Sequence, residues 1–308
     1  MDDTGRPGIG AAEVSSGRAP APGRRRIRKL EATVVDVVRE TRDTVTLVLG
    51  TREPVEYAAG HFLTIDPHQF EELEDLIAYL EDAKGRREPP RAYSMCSSPL
   101  ERDLAVTVKA ERYVRGTTRY PPILSPYLVR HVSPGQRIDV VGFTGGYVLP
   151  HDVEARTDHL VHVVAGSGSV PSYAILKYAL AVHPRLRQTF VYSNKTWDDV
   201  IFRDALAALE ERFPRRLRVV HTLTREQDPR RHGPDVRTGR VSAALLREVI
   251  ADPHGCLVYT CGPAIGPHER TAARQRGETP QPRFLETVVA AVAEIGVPKD
   301  RVKTEAYG

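Results

Sequence analysis

The feature that most constrains this chain is an apolar stretch running directly into a glycine-rich turn. Residues 159–164 carry the β-branched character of a buried strand. Gly166-Ser167-Gly168-Ser169-Val170-Pro171 follows at once, and residues 170–181 then read as a helix. Strand, tight turn and helix in that order set bare backbone amides at a helix N-terminus, where a pyrophosphate can bind. Gly166 and Gly168 let a ligand approach the main chain, and Pro171 suits a first helical turn.

The same alternation continues downstream. Strand patterns at 189–192, 217–223, 256–261 and 301–305 are separated by helical patterns at 198–212, 242–250 and 284–295. This predicts an α/β domain over 153–308, a doubly wound parallel sheet with its ligand across the carboxyl ends of the strands.

Upstream the pattern differs. Short β-branched runs at 33–38, 44–49, 60–65, 92–96, 104–109 and 136–141 predict six antiparallel strands, with one helix at 125–131. That is the signature of a small β-barrel, placed at 27–152. Residues 150–157 read as the linker, and 308 residues suffice for two domains with separate cores. An insertion interrupts the strands at 66–90. In it Phe70, Leu73, Leu76, Ile77 and Leu80 recur at helical spacing among Glu71, Glu72, Glu74, Asp75, Glu81 and Asp82. The spacing predicts an acidic amphipathic helix ended by Gly85 and Pro89-Pro90. It reads as a cover over the barrel or as a docking element beside it. Residues 1–26 predict a disordered tail, and Arg24-Arg25-Arg26-Ile27-Arg28-Lys29 is a solvated lead-in or a contact for an acidic partner.

Composition excludes several classes. With 44 basic and 40 acidic residues the net charge is +4, too mild to argue for nucleic acid. No apolar run reaches the roughly eighteen residues of a membrane span, and the N-terminus has no secretory apolar region. Cys96, Cys256 and Cys261 suit a reducing cytoplasm without disulfides. Three cysteines cannot ligate a plant-type [2Fe–2S] cluster, and no metal site is expected; any such cluster sits on another protein.

Arg91-Ala92-Tyr93-Ser94 offers a cation, a flat ring and a small hydroxyl on one strand. Arg91 can fork onto a phosphate, Tyr93 can lie on an isoalloxazine, and Ser94 can reach the flavin N5 edge. The competing reading is a surface Arg beside a core Tyr. Val108 and Lys109 can present backbone groups and a cation to the same phosphates, and Ser125 reads as a hydroxyl ahead of a helix at Pro126. Gly142-Phe143-Thr144-Gly145-Gly146-Tyr147 closes the domain with a tight turn.

At the ends of the second and third parallel strands, Ser193, Lys195, Thr224 and Arg225 can surround a ribose 2′-phosphate, and the second strand ends without an acid for a free 2′-hydroxyl. This favours NADPH, with NADH as the alternative. Cys261-Gly262-Pro263 breaks the chain where a nicotinamide lies, and no adjacent base activates Cys261 as a nucleophile. Glu305 and Tyr307 close the chain with a carboxylate and an aromatic ring that can tune and cover a flavin.

In this order the motifs resemble the ferredoxin–NADP reductase superfamily over roughly 28–308. The resemblance implies an FAD barrel followed by a nicotinamide domain, with Arg91–Ser94 on FAD and Thr224-Arg225-Glu226-Gln227 on the 2′-phosphate. It implies hydride transfer from NAD(P)H to FAD at Ser94, Cys261 and Glu305, then single electrons to a ferredoxin or similar small acidic carrier, from a monomer or weak dimer. A reductase of free flavin, flavodoxin or a haem protein is the alternative within the fold; a non-catalytic electron-transfer component is the alternative outside it. The chain departs from the family pattern at 66–90, at 264–282 with Arg270, Arg274 and Arg276, and at Gly308 after Tyr307.

Overall fold

Two sheets organise the chain, in a computed structural model that describes residues 29–115 and 118–307. The tail at 1–26, most of the basic run after it and Gly308 lie outside the described residues. The first sheet holds β1 (Lys29–Thr41), β2 (Thr44–Thr51), β3 (Phe62–Ile65), β4 (Arg91–Ser94), β5 (Leu104–Lys109) and β6 (Arg137–Thr144). Its order is β4-β3-β6-β1-β2-β5, with every pair antiparallel. A single bridge from Met95 to Val106 joins the two outer strands and closes the sheet into a barrel. Alternate residues point inward, so Val34, Leu47, Leu63 and Ile138 are fully buried.

The insertion covers this core. The helix expected from residue 70 begins later, as α1 (Glu74–Lys84), because two 3₁₀ turns precede it, the first with Pro67 at its start and capped by the Asp66 side chain. Ile77 and Leu80 bury their side chains in the barrel core, and Phe70 packs 4.7 Å from the Tyr127 ring. Gly85 ends α1 at φ 64, a left-handed cap. The second barrel helix, α2 (Leu124–Arg130), buries Leu124 and Leu128 from the other side.

The second sheet is parallel throughout. It holds β7 (His159–Ala165), β8 (Arg187–Asn194), β9 (Leu217–Leu223), β10 (Val236–Thr238), β11 (Cys256–Pro263) and β12 (Val302–Tyr307), in the order β10-β9-β8-β7-β11-β12. Helices α4 (Ser169–Val182), α5 (Arg203–Arg212), α6 (Ala243–Val249) and α8 (Phe284–Glu294) supply the crossovers. Four local expectations need correction. The helix expected over 198–212 is a 3₁₀ turn at Trp197–Asp199 followed by α5, separated by Phe202 at φ 58. The 150–157 stretch holds a helical turn, α3 (Val153–Arg156). Strand β10 is only three residues long and Arg237 lies in it, so no alternation announces it. The 264–282 segment folds as α7 (Pro267–Gln275), whose polar residues hide any apolar period, although Ala273 is buried.

The two sheets are packed together. Ala59, Cys96 and Tyr147 from the first part join Tyr173, Ile175 and Tyr259 from the second in one apolar cluster. The Tyr147 hydroxyl and Ser172 Oγ are 2.8 Å apart, and Tyr259 donates to the Val148 carbonyl. Glu40 accepts from Thr46 on its own sheet and from the Phe202 amide on the other. Gly60 is required here: at φ 96, a Cβ would lie 2.0 Å from the Tyr147 carbonyl oxygen.

Candidate functional site

The site lies at the carboxyl ends of the parallel strands, where the barrel meets them. Its floor is the glycine turn. Gly166–Gly168 form a 3₁₀ turn and α4 begins at Ser169, one residue earlier than the sequence pattern predicts. Ser169 donates to the Tyr192 hydroxyl, which donates to the Gly166 carbonyl, so β8 clamps the turn from beneath. Gly166 sits at φ 53 with open space where a Cβ would stand. A Cβ on Gly168 would lie 2.4 Å from the Cys261 carbonyl oxygen, so the turn is pressed against the end of β11. One on Gly262 would meet Phe284 at 2.5 Å. Ser167 lies between the two glycines, and Pro171 is buried in the first turn of α4.

The wall comes from β11 and β12. Their register sets Cys261 beside Glu305, Gly262 beside Ala306 and Pro263 beside Tyr307. Cys261 is fully buried, which pushes its thiol well above the ordinary value and keeps it protonated. Burial raises the Glu305 carboxyl to about 7. Its Oε2 is buried with no hydrogen-bond partner among the described residues. Tyr307 packs against the apolar cluster and interacts with Ser94 of the barrel. Ser94 is itself buried at the end of β4. Ser94, Cys261, Glu305 and Tyr307 therefore meet at the seam, although three elements of the two sheets supply them.

The barrel side differs from expectation at several residues. Arg91 is half-exposed but its guanidinium is engaged: Nη2 pairs with Glu88 at 2.7 Å and Nη1 donates to the Pro89 carbonyl at 2.7 Å. Ala92 is exposed; Tyr93 is half-buried and packs on the barrel core. The Val108 side chain is core, leaving only its backbone for any ligand. Lys109 lies 3.4 Å from Asp43, which also binds Arg112. Ser125 is not ahead of a helix. It lies inside the first turn of α2, and its hydroxyl accepts from the Glu111 amide. That bond ties the 111 stretch to α2.

At the far end of the crevice β8 and β9 bring four expected residues together. Ser193 is buried, while Lys195, Thr224 and Arg225 are exposed. The Thr224 amide donates to the Asn194 carbonyl, and the Arg225 amide to that of Lys195. Among the described residues, neither Lys195 nor Arg225 pairs with a carboxylate. The sequence pattern assigned no role to Trp197 and His232, and gave Glu226 only its place in the 224–227 stretch. The Glu226 carboxylate accepts from the Trp197 amide at 3.1 Å and pairs with Arg231. Trp197 stacks on His232 with centroids 4.6 Å apart and planes at 13°. The only Trp of the chain, three residues past the end of β8, was the available signal.

A Cβ at Gly166 would stand in open space, and one Glu305 oxygen is buried without a hydrogen-bond partner among the described residues. Among the described residues no group of three metal-ligating side chains exists, and no helix is long and apolar enough to cross a membrane.

A closed antiparallel barrel against a parallel sheet, with a glycine turn at the seam, defines a two-part dinucleotide-binding fold. Residues 163–265 match the oxidoreductase NAD-binding domain. One component of the Escherichia coli 1,2-phenylacetyl-CoA epoxidase is 27% identical over 83% of this chain and 70% of its own length. The ferredoxin reductase component of 3-ketosteroid-9-alpha-monooxygenase from Mycobacterium tuberculosis is 32% identical over 90% of this chain and 65% of its own. This chain thus spans about two thirds of the length of those relatives. Among solved structures, an Amycolatopsis cytochrome P450 reductase superposes with TM-score 0.65 at 23% identity, covering 91% of this chain and 70% of that one. The chain belongs to the ferredoxin–NADP reductase superfamily.

Proposed function

We propose that this chain is an FAD-dependent oxidoreductase that takes reducing equivalents from NADPH and passes single electrons to a ferredoxin-like partner, supplying an oxygenase. The observation that carries this reading is the meeting of Ser94, Cys261, Glu305 and Tyr307 at the seam between the two sheets. The names of the relatives, components of an epoxidase and of a monooxygenase, support it. When bound, FAD supplies the exchange between a two-electron donor and a one-electron acceptor.

The chain's own residues bind, orient and shield. The glycine turn and the α4 N-terminus hold a pyrophosphate by backbone amides. Lys195 and Arg225, exposed at the ends of β8 and β9, offer cations to a 2′-phosphate, which favours NADPH. Glu226 supports the alternative, NADH, since a carboxylate at this corner can hold a free ribose hydroxyl. Arg91 addresses the flavin's phosphates and Tyr93 its ring, with Lys109 beside them. Cys261 stays a thiol and shapes the pocket without attacking anything. Glu305, raised by burial to about 7, can hold or release a proton beside the nicotinamide position. Tyr307 excludes water by filling the seam against Ser94. Exposed Arg270, Arg274 and Arg276 on the 264–282 segment suit an acidic electron carrier, mainly through its association rate.

Purified protein should carry, or be reconstituted with, flavin absorbance that bleaches on anaerobic titration with NADPH. A preparation that neither carries nor binds flavin would sink this reading.

A further inference from the structure

Glu88 is the most buried charged side chain near the barrel, at 1% exposure, and nothing in the proposed chemistry uses it. It lies near the end of the 66–90 insertion, three residues before Arg91. Its Oε1 accepts a short hydrogen bond from Lys84 at the end of α1, and its Oε2 accepts from Arg91 Nη2 at 2.7 Å. Its amide donates to Glu81 Oε1, which also meets His68 Nε2 at 2.8 Å. His68 in turn bonds Asp66 at 2.6 Å. Burial alone would raise the Glu88 carboxyl, but hydrogen bonds from Lys84 and Arg91 outweigh it and hold it below the usual range.

The insertion therefore ends in a knot whose outermost member is the guanidinium of Arg91. With Nη2 on Glu88 and Nη1 on Pro89, both terminal nitrogens are anchored, and the side chain has lost most of its rotamer freedom before any ligand arrives. Arg91 sits on β4, where its register partner is Ile65, the last residue before the insertion begins. Both ends of the insertion thus converge on the strand position of this one residue.

We propose that Glu88 is a positioning residue for FAD: it fixes the Arg91 guanidinium in the orientation that receives the flavin's pyrophosphate, and the 66–90 insertion exists to hold it there. This rests on the reading that Arg91 binds FAD. Removing the carboxylate leaves two neighbouring cations, Lys84 and Arg91, without their shared partner, and the guanidinium regains the freedom it must lose again on binding.

The test is a double-mutant cycle on FAD affinity, read by quenching of flavin fluorescence on titration into deflavinated protein. Glu88→Gln should weaken FAD on the order of 10-fold, as loss of an orienting partner does elsewhere. Arg91→Ala should weaken it at least as much, and Glu88→Gln with Arg91→Ala should bind no more weakly than Arg91→Ala alone. Additive losses, or unchanged or tighter binding in Glu88→Gln, overturn the proposal. Unchanged binding in Arg91→Ala overturns the reading of Arg91, and the proposal with it. Should Glu88→Gln fail to fold, Glu88→Asp keeps the charge on Lys84 while shortening the reach to Arg91. It should still lose affinity, and full FAD affinity in that variant sinks the idea.

Discussion

Cys261 and Glu305 lie side by side as register partners on adjacent parallel strands, one fully buried and one half-buried. Burial disfavours both anions, and the Glu305 carboxyl adds to the cost of ionising Cys261. Near neutrality Cys261 therefore keeps its proton, while Glu305 is about half-protonated.

That state has a pH signature. Burial lifts the Glu305 carboxyl from 4.5 to about 7 in the folded protein, so the folded state binds this proton more tightly than the unfolded one. Its stabilising effect is complete below about 4.5 and is lost as pH rises through about 7. Glu305→Gln should therefore melt about 2–4 °C above wild type at pH 8 and level with it at pH 4.5. Scanning calorimetry across that range checks it. A constant gap at all pH values would show that the carboxyl is not the titrating group.

The glycine turn makes a steric prediction. In Gly168→Ala the new Cβ meets backbone atoms of Cys261, which have no rotamer by which to escape. We expect a loss of about 1–3 kcal/mol and a marked fall in nucleotide affinity. Gly146→Ala, where nothing stands within 4 Å, should change stability by less than about 0.5 kcal/mol. Paired denaturant melts decide the matter.

Nucleotide choice can be read from Arg225. Arg225→Ala should raise the KM for NADPH by roughly 10-fold or more and leave that for NADH nearly unchanged. Steady-state rates with both nucleotides test this. A preference for NADPH that survives the substitution would move the 2′-phosphate elsewhere, and an initial preference for NADH would bring Glu226 forward.

The seam itself can be probed without touching any ligand. Tyr147→Phe removes the hydroxyl that meets Ser172 Oγ at 2.8 Å and strands a buried polar group. The expected loss is about 1–2 kcal/mol, or a melting temperature lower by several degrees. Unchanged stability would mean that this bond contributes little to holding the sheets together.

Much of this architecture was legible from local pattern. Strands β5 and β9 fall where alternation and β-branching place them, because both patterns report burial of one or both faces. Strand β10 and helix α7 were not legible: one is too short for a period, and the other is polar on nearly every side. Ser125 shows a different limit. Pro126 invites a helix start after it, yet packing of Leu124 into the barrel begins the helix earlier.

The sequence by itself determined the order of elements, the glycine turn and the residue types that the site requires, since these depend on neighbours a few positions away. Only the tertiary structure decided that Ser94 would meet Tyr307 and that Cys261 would pair in register with Glu305. Parallel strand register and the seam between two sheets are set by long-range packing and burial, which no short window of sequence contains.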